Sequence, residues 1–263
     1  MLAVVGEEPL RSKLTATPMK TVLITGANKG IGFETARQLA QQGYHVYLGS
    51  RDLANGHRAA AQLHAEGLAA VEAIQLDVIS ADSVQAARAE IGRKTEVLDA
   101  LVNNAAITGG MPQAALSAEV VVFQEVFATN VFGVVQVTQA FIDLLRRAPQ
   151  PRIVNVGSSG ASLTLSSDPA WKYYHHKGAI YPASKAALHM YTIVLAYELR
   201  DTAFKVNAVD PGFTATDLNN HRGTGTVEEA ATRLVKYVLV GDDGPSGNFI
   251  SEENTPVTGE IPW

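Results

Sequence analysis

The sequence predicts a doubly wound α/β fold of the Rossmann type, a single parallel sheet of about seven strands with helices on both faces. Two observations carry this. From Thr21 onward, short β-branched runs alternate with longer helical patterns, the alternation that builds right-handed βαβ crossovers. The first of those runs leads straight into a glycine-rich turn that opens a helix, TGANKGIGFETARQLA. The strands are read as TVLITG (21–26), YHVYLG (44–49), AVEAIQL (70–76), DALVN (99–103), RIVNVG (152–157), KVNAV (205–209) and NFIS (248–251). Residues 1–18 show no clear period, so the domain is expected to span 19–263 with 1–18 as a peripheral extension.

Taken in order, the strand ends carry the chemistry. After the first strand, Gly26, Gly30 and Gly32 let the backbone turn tightly, approach a pyrophosphate and pack the next helix on the sheet. The second strand ends LGSR. An NAD-selective fold places an acidic residue at this point, whereas here neutral Ser50 is followed by Arg51, whose guanidinium can pair with a 2′-phosphate, with Lys29 approaching the same group. NADP(H) is the expected cofactor. The third strand ends in LDV, where Asp77 either accepts from the adenine amino group or caps the next helix, Ser80 being the better cap. The fourth ends in NNAA (103–106).

The apolar run VVVFQEVFATNVFGVVQV (120–137) is interrupted by Gln124, Glu125 and Asn130, and reads as a buried helix, not a membrane span. The pattern Tyr-x-x-x-Lys occurs twice, as Tyr173/Lys177 and Tyr181/Lys185, and in a helix either would place phenol and ammonium on one face. Only the second pair opens a long helix, YPASKAALHMYTIVLAYELR (181–200), with Pro182 in its first turn and apolar residues at helical spacing. The first pair lies in YYHHKG, which is closed by Gly178 and too short for more than a turn or two.

Composition bounds the function. Hydrophobic residues make up 46% and charged residues 18%, the balance of a compact enzyme-like protein, and a net charge of -5 argues against a nucleic-acid partner. With no cysteine, disulfides, thiolate catalysis and zinc-thiolate sites are excluded. His175 and His176 are adjacent and lack carboxylates at ligand spacing, so no metal site is expected. The start lacks a signal-peptide pattern, and a soluble, cytoplasmic protein is expected.

Six motifs in order resemble the short-chain dehydrogenase/reductase family, and within it the NADPH-dependent carbonyl reductases: TGANKGIG, LVNNAA, ATNVFG, NVGSS, YPASK and NAVDPGFTATD. The resemblance covers about residues 20–218. It implies a cofactor site of Gly26, Asn28, Lys29, Gly30, Ile31, Gly32, Arg51, Asp77, Val78, Asn104, Ala105, Pro211, Gly212 and Thr214, completed by Tyr181 and Lys185. It further implies Tyr181 as general acid, Lys185 as its electrostatic partner and ribose ligand, and Ser158, in preference to neighbouring Ser159, as donor to the carbonyl oxygen. Asn130 would hold a water in the proton relay, or else satisfy a helix kink. To act near pH 7, a tyrosine with an ordinary pKa of about 10 needs roughly 4 kcal/mol of phenolate stabilisation, expected from Lys185 and the oxidised nicotinamide together.

The expected reaction is NADPH-dependent reduction of a ketone or aldehyde. The different-class alternative is a non-catalytic NADP(H)-binding regulator, and within the class a β-ketoacyl or quinone substrate. SLTLSSDPAWKYYHHKG, before Tyr181, is longer than in compact family members but shorter than in animal monomeric relatives, so a monomer and a homo-oligomer are both compatible. Segments 160–180 and 214–226 are expected to cover the substrate.

Overall fold

The computed structural model describes residues 19–263; the expected extension, 1–18, lies outside the described residues. The elements run β1 (Thr21–Ile24), α1 (Gly30–Gln41), β2 (His45–Ser50), α2 (Leu53–Ala65), β3 (Val71–Gln75), α3 (Ala81–Lys94), β4 (Ala100–Asn103), α4 (Val120–Phe127), α5 (Gly133–Leu145), β5 (Arg152–Val156), α6 (Leu163–Ser167), α7 (Tyr181–Glu198), β6 (Lys205–Val209), α8 (Val227–Val238) and β7 (Phe249–Ile250). The strands form one seven-stranded sheet in the order β3-β2-β1-β4-β5-β6-β7, with every pairing parallel. The order reverses between β1 and β4, and a ligand crevice belongs outside the carboxyl ends of the strands at that switch point.

Alternation along each strand divides the core into two layers. In β1, Val22 and Ile24 face the layer with Leu39, Leu63 and Leu234 from α1, α2 and α8. Leu23 faces the other, with Ile91, Phe141 and Leu144 from α3 and α5. This is why β1 (TVLI) and β4 (ALVN) read as nearly continuous apolar runs: both faces are covered.

The apolar stretch near 120–137 forms a helix, as expected, but it is buried on one face only. A five-residue π turn, Ala128–Phe132, joins α4 to α5, and the run Val120–Leu145 is long and apolar enough by composition to cross a membrane. Val137, Phe141, Leu144 and Leu145 hold it on the sheet as a core helix, while Val120, Val121 and Phe132 are exposed. The sequence pattern alone could not separate those faces, because polar residues interrupt the run without marking a side.

Side-chain caps close several helix N-termini, though not those of α1 or α4. Asp52 caps α2, Ser80 caps α3 and Thr226 caps α8 in a reciprocal capping box. The N-terminus of α1 has no side-chain cap.

Candidate active site

The glycine turn is shaped by necessity. Gly26 and Gly30 hold φ of +63° and +59°, and a Cβ on Gly32 would lie 2.7 Å from the Gly26 carbonyl oxygen and 2.4 Å from Asn104 Nδ2. The end of β4 clamps this turn. Asn104 Nδ2 donates to the carbonyls of Thr25 (2.8 Å) and Gly26 (3.0 Å), and the backbone N–H groups of Asn104 and Ala105 both donate to Thr25 Oγ1. Thus Asn104 and Ala105 set the floor, while Gly26, Asn28, Lys29, Gly30, Ile31 and Gly32 surround an uncapped helix N-terminus with no acidic residue in its first turn. Unpaired N–H groups and the positive helix end fit a pyrophosphate.

The ends of β2 and β3 are equally well defined. Ser50 is buried and donates to the Asp52 carbonyl, and Arg51 is exposed with no ion pair among the described residues. Asp52, the nearby acid, has both oxygens occupied: Oδ1 accepts from Ala54 N (2.8 Å) and Asn55 N (3.3 Å), and Oδ2 from Asn55 Nδ2 (3.1 Å). Asp77 accepts from Ile79 N in a short turn while Ser80 takes the cap, and Val78 abuts Gly133, where a Cβ would come within 2.8 Å of it. The Lys29 ammonium lies 2.7 Å from Asp217, which also meets His221 at 2.9 Å.

Tyr181 and Lys185 open α7 one turn apart. Lys185 is almost fully buried, donates to the Val156 carbonyl at the end of β5 (2.7 Å) and stands 5.7 Å from the centre of the Tyr181 ring. The two serines after β5 face different partners: Ser158 stands beside Tyr181, and Ser159 beside Asp210. Asn130, fully buried in the π turn, accepts from Ile107 N (2.9 Å) and donates to Ile107 O (2.9 Å) and Ser184 Oγ (3.0 Å). Its amide hydrogens are therefore spent tying the β4 loop to α7, which leaves one lone pair of Oδ1 and the irregular backbone of the π turn to meet a water.

Burial, and then the carboxylate of Asp210, push the Tyr181 phenol up, with Ser158 pulling it back. Burial lowers Lys185 to about 8, with Asp210 opposing. Burial and the neighbouring Lys185 lower His189 to about 3, so its imidazole is neutral. The surroundings thus hold Tyr181 as a phenol, the form that can give a proton.

The rival pair is divided. Tyr173 donates to Glu253 Oε1 (2.5 Å), whose Oε2 accepts from Phe213 N (3.1 Å), while Lys177 lies 4.0 Å above the Tyr174 ring. Burial and Glu253 push the Tyr173 phenol far up. Its ring joins those of His176 and Phe213 at 5.7 and 5.9 Å, fastening the segment before α7 to the turn after Gly212. Pro211 accepts from Arg233, and Thr214 bonds back to the Pro211 and Gly212 carbonyls. Trp263 is stacked on Phe249 (5.3 Å) beside His189 (5.6 Å), behind the serine loop. Among the described residues, no group of three or more His, Cys, Asp or Glu side chains is placed to hold a metal.

Sequence reasoning missed Gln113, Asp210 and Glu253. Gln113 is buried and serves the N-terminus of α7 from 68 residues away. Its Oε1 accepts from Ile180 N (3.2 Å) and Tyr181 N (2.9 Å), while Nε2 donates to the carbonyls of Thr108 and Gly110. No local pattern announces a cap that arrives from another loop. Gln113→Ala is expected to cost about 2–3 kcal/mol in denaturant unfolding, from buried groups left unpaired, and to lower turnover; Gln113→Glu, which can still accept but not donate, should fall between. Unchanged stability in both variants would contradict this role.

Comparison with known proteins agrees with this fold. The family model described as short chain dehydrogenase matches residues 20–226. A (+)-neomenthol dehydrogenase of Capsicum annuum is 32% identical, covering 91% of this chain and 97% of its own length. The solved salutaridine reductase of Papaver somniferum superposes with a TM-score of 0.76 at 32% identity, over 88% of this chain and 99% of that one. An NADPH-bound carbonyl reductase from chicken fatty liver superposes at 0.78 with 27% identity, over 94% and 100%. The Capsicum alignment runs over 312 positions against 263 residues here, so that relative holds segments this chain lacks.

Proposed function

The chain belongs to the short-chain dehydrogenase family and is an oxidoreductase, and on that premise we propose that it reduces a ketone or aldehyde to an alcohol with NADPH, Tyr181 serving as general acid. The observation that carries this reading is the convergence of Tyr181, Ser158 and buried Lys185 beside a glycine cradle shaped for a pyrophosphate. Bound NADPH would supply the hydride. Ser158 donates to the carbonyl oxygen and orients the substrate, and Tyr181 delivers its hydroxyl proton as negative charge grows there. Lys185 holds the nicotinamide ribose and, while charged, stabilises the phenolate left behind; Asn130 fixes α7 against the β4 loop and offers a water site for reprotonation. Arg51 favours the 2′-phosphate, and Asp77, Val78, Pro211, Gly212 and Thr214 complete the cofactor wall.

Segments 160–180 and 214–226 form the proposed substrate cover, joined through Tyr173, Glu253 and Phe213. A cytoplasmic location accords with the cysteine-free sequence. The test is NADPH titration followed by turnover on a panel of ketones, β-ketoacyl esters and quinones. Oxidation of NADPH with a ketone or aldehyde supports the reading; binding without turnover on any of them favours a regulator.

The sign of the pH dependence follows from Lys185. Its ammonium is present below about 8 and lost above it, whereas the Tyr181 phenol, pushed upward, stays protonated. Reduction is therefore expected to fall as pH rises through about 8. A flat kcat profile up to pH 10 would contradict this assignment.

A further inference from the structure

Asp210, at the carboxyl end of β6, is a buried carboxylate with no place in the proposed chemistry. Oδ1 accepts from Gly212 N (3.1 Å) and Oδ2 from Ser251 Oγ (2.7 Å). Ser251, itself fully buried, accepts from Asn254 Nδ2 (2.7 Å), and Asn254 Oδ1 accepts from the indole Nε1 of Trp171 (2.9 Å) in the segment before α7. Every link has a fixed direction. The indole can only donate, so Asn254 must present its oxygen to it and its amide to Ser251; the Ser251 hydrogen then points at Asp210, an arrangement that suits an ionised carboxylate. Phe213 and Tyr173, both bonded to Glu253, brace the same turn in parallel.

Lys185 donates to the Val156 carbonyl (2.7 Å), and the next residue along, Gly157, donates its N–H to the carbonyl of Val209 (2.8 Å), the residue before Asp210. Resting on the carbonyl-reductase reading above, we infer that Asp210 is a positioning residue for the strand end on which Lys185 rests, and that Trp171, Asn254 and Ser251 form a one-way hydrogen-bond chain through which the inserted segment holds it in place. Substrate cover and the support of Lys185 are thereby joined through the end of β6. The charged and titratable groups around Asp210 are Tyr181, Lys185 and His189 of α7, Glu253 of the C-terminal turn, Tyr173 of the insertion and Arg233 of α8; His189 stays neutral at working pH. Burial pushes the Asp210 carboxyl up, against the hydrogen bonds from Ser251 and Gly212 N that favour its ionised form; while ionised, it favours the charged form of Lys185 and the protonated form of Tyr181, so its removal moves both in the same direction.

The experiment compares wild type, Asp210→Asn, Ser251→Ala, Trp171→Phe and the Asp210→Asn/Trp171→Phe double variant. It reads the kcat–pH profile of ketone reduction, the Kd for NADPH and the indole N–H spectrum of the chain's two tryptophans. Asp210→Asn should move the alkaline limb to lower pH by about one unit, the scale of a near charge, with Kd changed less than twofold. Trp171→Phe should lower kcat about threefold, and the double variant should be no worse than Asp210→Asn alone, because members of one network are not additive. Ser251→Ala, tested in the absence of cofactor, should move the Trp171 indole signal. Superimposable pH profiles, strictly additive losses or an unmoved Trp171 signal would overturn the inference while leaving the reductase reading intact. Wild type that binds NADPH without turnover would overturn both.

Discussion

Replacing Tyr181 with phenylalanine is expected to lower carbonyl reduction by about two to four orders of magnitude, the range supplied by a positioned acid, while NADPH still binds. The ring fits the same space, since only the hydroxyl meets Ser158, and α7 keeps its start because Gln113 holds the backbone N–H of residue 181. What is lost is the proton delivered to the forming alkoxide. Tyr173→Phe supplies the control. It removes a bond to Glu253 and loosens the cover, so substrate KM should rise a few-fold with kcat nearly unchanged, in line with the roughly 1 kcal/mol of a single hydrogen bond. Steady-state kinetics of both variants decides: equal losses, or a larger loss at Tyr173, would remove Tyr181 from the reaction.

Arg51→Asp is expected to raise the KM for NADPH by about tenfold to a hundredfold, the loss of a charge-assisted contact together with repulsion of the 2′-phosphate, and to narrow or invert the preference over NADH. A carboxylate at this strand end can accept from a ribose 2′-hydroxyl. Wild type lacks that option although Asp52 is adjacent, because both of its oxygens are committed to the start of α2. The prediction is checked by the ratio of kcat/KM for the two cofactors. An unchanged ratio would leave Arg51 as a solvated surface residue.

How much of this was legible in the sequence varies with the range of the interaction. All seven strands follow from local β-branched runs, and the turn at Gly26, Gly30 and Gly32 from a backbone that side chains would obstruct. The start of α7 at Tyr181 was legible because Pro182 fits only a first turn. Gln113, Asp210 and Glu253 were not, because each acts on residues far away in the chain; Asp210 stands inside NAVDPGFTATD, but the motif does not announce its partners. Asp210 carried the one available signal: a carboxylate closing a buried apolar strand must find donors, and a search for those donors leads to Ser251. The rise in the Tyr181 phenol was hidden for the same reason, since the pairing with Lys185 is local while burial and Asp210 are tertiary. Spacing alone made Tyr173/Lys177 look equivalent to Tyr181/Lys185; the long helix opened by Pro182 already set the second pair apart, and the tertiary partners add Glu253 for one tyrosine and Ser158 for the other.

The most direct measurement is the fate of the hydride. NADPH carrying deuterium at both positions of the nicotinamide C4, incubated with the protein and a ketone from the panel, should yield an alcohol with one deuterium on the carbinol carbon, at a rate that collapses in Tyr181→Phe. Cofactor that binds with its label retained and no deuterated alcohol formed from any carbonyl substrate would contradict the assignment.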